Sequence, residues 1–289
     1  MEIRILKYFL AVVREENITK AAESLHITQP TLSRQLMQLE DELQCQLFIR
    51  GKNKVTLTHE GMLLRRRAEE IVDLTLKTEK EFLSQANQVA GEIFIGSGES
   101  YAFHMFAKKL YQFQRQYPHV QYHIESGNAD DIKQKIDQGL IDIGLLMEPV
   151  DVDKYDCIHL DYQERWGIIA RKDCELAKKG YVTPKDIVSL PLIVPHRLLV
   201  QNELGHWLNE DFSRLNIVAT HNLVFNAAIM VEEGLGYVIS IDGLINTDEH
   251  SVLCFLPFQP EMKTGNVLVY KKQQVFSPAT TKFIEFLKG

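Results

Sequence analysis

The sequence predicts an α/β protein in two parts: an N-terminal helix-turn-helix with a β-hairpin, and a larger two-lobed α/β domain reached through one long helix. Three observations carry this prediction. Through residues 3–43 apolar side chains recur at helical spacing, with capping residues between the segments. A Pro-free stretch of about thirty residues follows, with Gly only near its start. From Glu92 onward, short apolar β runs alternate with helical segments.

The bulk numbers set bounds. At 289 residues the chain has room for two domains. It is 45% hydrophobic and 25% charged, ordinary for a globular protein. No run approaches the ~18 consecutive apolar residues of a membrane helix, so no membrane partner is expected. Met1-Glu2-Ile3-Arg4 already has a helical pattern and carries no apolar signal core, which points to a cytoplasmic location. Cys45, Cys157, Cys174 and Cys254 include no C-x-x-C pair, so no metal site is expected. They read either as small buried hydrophobes or as holding a redox pair such as Cys157 with Cys174. The net charge of −7 is uneven: residues 1–67 hold 11 Lys/Arg against 8 Asp/Glu, and the remainder 21 against 31.

Leu6, Phe9, Leu10 and Val13 make residues 3–15 an amphipathic helix. Asn17 suits the N-cap of a second helix running to about Leu25, in which Ala21 and Ala22 allow close helix crossing. His26-Ile27 makes a tight connection. Thr28 suits a further N-cap and Pro30 the first turn of a third helix, Gln29 to Leu43, with Leu32, Leu36, Leu39 and Leu43 as its stripe. Two short helices joined in this way fit a helix-turn-helix. Gln29, Thr31, Ser33, Arg34 and Gln38 cluster on the other face of the third helix. Gln can pair with adenine and Arg with guanine, while Ser and Thr reach phosphates. The alternative is a merely solvated face. Leu47–Arg50 and Val55–Thr58 flank Gly51-Lys52-Asn53-Lys54 as a hairpin, whose Arg50, Lys52 and Lys54 could grip a phosphate backbone.

The run Ala21-Ala22, His26-Ile27-Thr28-Gln29-Pro30-Thr31-Leu32-Ser33-Arg34-Gln35-Leu36, then Leu39-Glu40, Leu43, Leu47-Phe48 and Arg50, closely resembles the LysR-type transcriptional regulators. The resemblance implies a winged helix-turn-helix whose contacts to double-stranded promoter or operator DNA fall on Gln29, Pro30, Thr31, Ser33 and Arg34. Two positions depart from the family pattern. Gln44 stands where Gly is usual. Asn53 stands where the wing usually has Arg, leaving Lys52 or Lys54 to make that contact.

Thr58 can cap a helix beginning near His59, along which Leu64, Ala68, Ile71, Val72, Leu76, Leu83, Ala86 and Ala90 keep three- and four-residue spacings. A helix that long should pack against a partner, and the resemblance implies pairing with the same helix of a second subunit. Arg65-Arg66-Arg67 reads as a DNA contact or as a solvated face. The expected division is therefore 1–58 for DNA binding, 59–90 for the linker helix, and 91–289 for an effector domain. Within that domain, lobe I takes 91–161 and 267–289, and lobe II takes 162–266.

In the C-terminal part, strands are expected at 92–96, 120–125, 141–146, 166–170, 191–194, 217–219, 237–241, 253–258 and 267–270. Helices are expected up to about Tyr117 and at 129–138, 201–212, 223–234 and 278–288. This alternation suggests a parallel sheet, with ligands beyond the carboxyl ends of the strands. The loops there are 96–100, 126–129, 146–149, 195–199, 220–224 and 240–243. Loop 96–100 leads into a helix N-terminus, which favours an anion. Gly96-x-Gly98 is too short for a dinucleotide fingerprint and no Walker sequence occurs, so no cofactor is expected.

Gly139-x-x-Asp142-x-Gly144 and Glu233-Gly234-Leu235-Gly236 extend the resemblance, which implies two Rossmann-like subdomains similar to periplasmic binding proteins. Ser100 matches a family position that often contacts ligand. Ser126, Asn128, His196, Arg197 and Asn222 follow strand ends and complete the candidate effector set. Arg197 could hold a carboxylate bidentately, pointing to a small organic anion, or could pair only with a local acid such as Glu203 or Asp242.

An enzyme is disfavoured. His119 and His123 share a strand face without a nearby Glu or Cys, and no G-x-S-x-G occurs. A stand-alone solute-binding module would not begin with a recognition helix. The resemblance implies a homodimer or homotetramer bending DNA, effector-driven closure of the cleft, and RNA polymerase as a further partner. Dimeric recognition helices would address half-sites about one helical turn apart, or a multiple of it.

Overall fold

The computed structural model describes residues 1–51, 54–83, 89–209 and 212–289. The chain divides into two compact units, Met1–Gln85 and Ala86–Gly289.

In the first unit, α1 (Ile3–Glu15) buries Ile5, Leu6, Phe9 and Val12. Asn17 caps α2 (Ile18–Ser24), its side-chain oxygen accepting from the N–H groups of Thr19 and Lys20 at 2.9 and 3.1 Å. Ala21 and Ala22 are buried where α2 packs on its neighbours. His26 takes a left-handed conformation, φ 54°, and turns the chain into α3 (Gln29–Leu43). Thr28 occupies the N-cap position of α3 but makes no side-chain cap. Its hydroxyl lies 2.8 Å from that of Thr31 instead. Leu32, Leu36 and Leu39 are buried. The stripe ends there, because Leu43, 39% exposed, is the last helical residue before Gln44 turns left-handed at φ 52°.

Glu40 ties α3 to the hairpin. Its Oε1 accepts from the N–H groups of Leu47 and Phe48 at 2.7 and 3.2 Å. β1 (Phe48–Arg50) and β2 (Val55–Leu57) pair antiparallel, Phe48 opposite Leu57 and Arg50 opposite Val55. Phe48 packs on Phe9 with ring centroids 5.2 Å apart. Thr58 accepts from the N–H of Gly61 at 3.0 Å, opening α4 (His59–Leu83). Gly61 is required here, since a Cβ would lie 2.2 Å from the Leu47 carbonyl oxygen. Ala68 and Val72 of α4 join the core of this unit, whereas Ile71 and Leu76, expected on the same stripe, are 37% and 41% exposed. The helix is described to Leu83, short of the expected 90. Ala86 lies outside the described residues.

The second unit carries a nine-stranded sheet. Its elements in chain order are β3 (Gly91–Ser97), α5 (Phe103–Gln116), β4 (Val120–Ser126), α6 (Ala129–Asp137), β5 (Ile143–Met147), β6 (Tyr155–Arg171), α7 (Glu175–Lys179), α8 (Pro184–Ile187), β7 (Leu192–Pro195), α9 (Leu198–Leu208), a 3-10 turn (Phe212–Arg214), β8 (Ile217–His221), α10 (Val224–Glu232), β9 (Tyr237–Ile241), β10 (Leu253–Pro257), β11 (Lys263–Lys271) and α11 (Pro278–Lys288). The strand order is β4-β3-β5-β11-β6-β9-β7-β8, with β10 also on β6.

The sheet is mixed rather than parallel. β3 runs parallel to β4 and β5, and β7 parallel to β8 and β9, while β6, β10 and β11 pair antiparallel. The expected strand 166–170 is only the end of β6, which spans 17 residues. The helix expected at 201–212 starts three residues earlier and ends at Leu208. Gly144 sits under α6, where a Cβ would come within 2.9 Å of Ile136. Asp142 accepts from the Phe94 N–H at 2.9 Å, pinning β3 beside this turn.

The four cysteines are free. A Cys157–Cys174 pair is excluded by geometry. Roughly 40 Å of continuous strand separates Cys157 from the end of β6, far beyond the ~7 Å limit between Cα atoms of a disulfide.

Replacing Phe9 with Ala removes a fully buried ring at the centre of the first core. It is expected to cost about 3–5 kcal/mol. Urea unfolding of the full chain should show the transition of the N-terminal unit lowered and that of the second unit unmoved.

Candidate functional sites

The first site is a face of α3. Gln29, Pro30, Thr31, Arg34 and Gln38 are exposed and Ser33 is half-buried, all on the side away from Leu32, Leu36 and Leu39. Gln29 donates to the Ser33 hydroxyl at 2.8 Å and Gln38 to Glu42 at 3.3 Å, so these amides are held in place. Arg34 is exposed and makes no ion pair among the described residues. The arginines of α4 differ: Arg65 pairs with Glu69 at 2.9 Å and Arg67 with Glu70 at 2.8 Å, the pattern of a solvated helix face.

The hairpin presents Lys54, whose ammonium lies 2.7 Å from the Glu16 carboxylate, while the Val55 N–H donates to the Glu16 carbonyl at 2.9 Å. Lys52 and Asn53 lie outside the described residues, as does the side chain of Arg50, the last residue of β1.

The second site is a cleft in the second unit of about 650 Å³, counted to its open mouth. All six loops expected at the strand ends contribute to it: Gly98 and Glu99, Gly127 and Asn128, Leu146 and Met147, Pro195 and Arg197, His221 and Asn222, Ser240 and Ile241. Val200, Val224, Leu244 and Trp166 make the rest largely apolar, as ligand pockets commonly are.

Of the expected effector residues, the cleft gathers Asn128, Arg197 and Asn222. Asn128 also caps α6, accepting from the N–H groups of Asp130 and Asp131 at 2.8 and 3.1 Å. Arg197 is buried and reaches across the cleft. Its Nη2 donates to the Pro149 carbonyl at 3.0 Å, and its Nε lies 3.4 Å from Asp130. Its acid is therefore neither Glu203 nor Asp242, and Asp242 is taken by Arg165 at 2.5 Å.

Ser100, Ser126 and His196 do not line the cleft. Ser126 and His196 are exposed beside it. Ser100 is buried behind it, where its hydroxyl donates to Glu164 Oε1 at 2.5 Å and accepts from the Ala102 N–H at 3.0 Å. Ala102 also donates to Glu164 at 3.0 Å, so the protein's own carboxylate fills the anion position expected at loop 96–100.

The sequence reading missed Glu99, Trp166 and His221. Trp166 is 2% exposed and its indole N–H has no partner among the described residues. His221 Nε2 donates to the Ile239 carbonyl at 3.2 Å, which leaves Nδ1 as a buried acceptor without a donor. The three residues come from the loop after β3, from β6 and from the end of β8, so only the assembled sheet brings them to one cleft, and no spacing announces them. The His119–His123 reading is also corrected. Glu92 on the adjoining strand puts its carboxylate 3.1 Å from His123 Nε2. Among the described residues, no group of three His, Cys, Asp or Glu side chains could hold a metal ion.

Burial pushes the His221 imidazole below its ordinary 6.5. The unfolded chain then binds a proton that the folded chain refuses, so stability falls as pH drops through about 6.5. Thermal unfolding between pH 7.5 and 5.5 should show this decline, and His221→Gln should flatten it.

Comparison with known proteins agrees with this arrangement. The profile described as the LysR substrate binding domain matches residues 86–289, and that of the bacterial regulatory helix-turn-helix protein, lysR family, matches residues 3–62. The HTH-type transcriptional regulator BsdA of Bacillus subtilis (strain 168) is 33% identical over 223 residues, covering 75% of this chain and 74% of its own. The Hca operon transcriptional activator HcaR of Escherichia coli (strain K12) is 26% identical over 291 residues, covering 100% and 97%. Full-length CbnR, solved with its target DNA, shares the fold with a TM-score of 0.76 at 18% identity, covering 100% of this chain and 99% of its own. No helix among the described residues is long and apolar enough to cross a membrane. The chain belongs to the LysR family of transcription regulators, which bind double-stranded DNA, respond to small-molecule effectors and are not enzymes.

Proposed function

We propose that this regulator reads its operator with Gln29, Pro30, Thr31, Ser33, Arg34 and Gln38, and grips the phosphate backbone with Arg50, Lys52 and Lys54 of the wing. The observation that carries the reading is Arg34: an exposed guanidinium without an acidic partner among the described residues, on the face of α3 opposite the core. Such a group is poised for guanine, whereas Arg65 and Arg67 are already spent on acids. The wing holds Lys54 against Glu16, so DNA contact there exchanges a carboxylate for a phosphate.

The effector of this reading is a small organic anion, bound in the cleft by Arg197, Asn128 and Asn222 together with the Trp166 N–H. The domain division at 58/59 and 90/91, and the lobe boundaries near 161 and 266, belong to the same proposal, as does a cytoplasmic location. A shift in the β6–β11 pairing supports the lobe boundaries: Gly265 lies opposite Gln163 but Asn266 opposite Leu160. An effector changes the regulator's state only if it binds one arrangement of the lobes better than another.

Arg34→Ala is expected to abolish specific operator binding in a gel shift while the effector domain keeps its melting temperature. Operator affinity equal to the parent's would overturn the assignment. Lys54→Ala should weaken binding to every sequence alike and lower the salt slope by about one. A loss confined to one base position would instead make the wing a sequence reader.

A further inference from the structure

The N-terminus of α10 opens on the cleft through Val224. Its N-cap residue, Leu223, supplies no capping side chain. The cap comes instead from Glu99, whose Oε2 accepts from the Val224 N–H. Glu99 lies in the loop between β3 and α5, 125 residues away, on the opposite side of the cleft. It is half-buried and lines the same cavity as Trp166, whose buried indole N–H has no partner among the described residues.

The cleft thus has two features made for a ligand oxygen. One is a helix N-terminus, where backbone donors and the dipole favour negative charge. The other is a buried indole donor with nothing to donate to, an arrangement that costs free energy until an acceptor arrives. The first is already filled from within.

We infer that Glu99 is a built-in occupant of the anion seat at α10, and that it sets the charge selectivity of the cleft. This rests on the reading of the cleft as the effector site and adds the residue that governs which effectors enter it. A carboxylate ligand must displace Glu99 from Val224. The exchange replaces one charge-assisted hydrogen bond by another, so it gains little. It also leaves two carboxylates close together unless Glu99 swings out to water. An uncharged ligand of the same shape meets neither penalty. When an anion does displace Glu99, it breaks a tie between the two sides of the cleft, so the residue that tunes selectivity also reports occupancy.

The test is calorimetric titration of the full-length chain and its Glu99→Gln and Glu99→Ala variants with two matched pairs: phenylacetate against phenylacetamide, and butyrate against butyramide. Glutamine keeps the shape and a weaker cap, and alanine empties the seat. A melting temperature and near-UV circular dichroism spectrum close to the parent's, both without ligand, check that each variant is folded. The carboxylates are expected to bind the variants about five- to tenfold more tightly than the parent, Ala at least as strongly as Gln. The amides should change less than about twofold. Equal carboxylate affinity in all three proteins, or a loss in both variants, overturns the role of Glu99 and leaves the anion site standing. If the amides bind and neither carboxylate binds any of the three proteins, the anion-site reading falls, and this inference with it.

Discussion

Two long antiparallel strands, β6 and β11, run through both halves of the effector domain, and the cleft depends on them. Every other strand of the sheet reaches the two halves through this pair: β5 joins β11 on one side, and β9 joins β6 on the other. The pairing slips where Gly265 meets Gln163 and Asn266 meets Leu160. A break in register bends and twists a ladder locally. Here it separates a half packed on Phe106, Phe113 and Phe283 from one packed on Trp166, Ile168 and Phe258. Because the halves share backbone rather than a flexible linker, their loops face one another at a fixed place.

Across that opening the halves hold each other with charge. Arg197 reaches toward Asp130 and the Pro149 carbonyl, and Glu99 reaches in the reverse direction to Val224. Both ties use groups that a ligand could compete for, which is how the proposed effector site would couple occupancy of the cleft to its closure. Behind them, Ser100, Glu164 and Asn266 form a buried polar cluster that fixes the loop carrying Glu99. The hydroxyl of Ser100 therefore serves the loop's conformation.

In the N-terminal unit a single carboxylate has a similar organising role. Glu40 leaves the last turns of α3 to hold the backbone of Leu47 and Phe48. That links α3 to the hairpin, and the packing of Phe48 on Phe9, rings tilted at 45°, anchors both to α1. The left-handed Gln44 between them is a costlier choice than Gly would be, and it explains why a glycine is the usual residue at this turn.

The N-terminal architecture was legible because it is local. Asn17, the Ala21-Ala22 pair and Leu32, Leu36 and Leu39 act within a few residues of themselves, and the periodicity that buries one face of α3 exposes Gln29, Thr31 and Arg34 on the other. The six loops of the cleft were legible for a related reason, since an alternation of strands and helices puts the ends of strands together. The sequence did not reveal which side chains in those loops turn inward. Asn128, Arg197 and Asn222 line the cleft while Ser100, Ser126 and His196 do not, because pairing partners distant in sequence decide each orientation. Glu99 meets Val224, and Trp166 comes to share the cleft with His221, only once β6 has carried the chain across both halves. Pattern along the chain determined the elements and their order. The charge and donors of the cleft were decided by tertiary structure, because they arise between residues 48 to 125 positions apart.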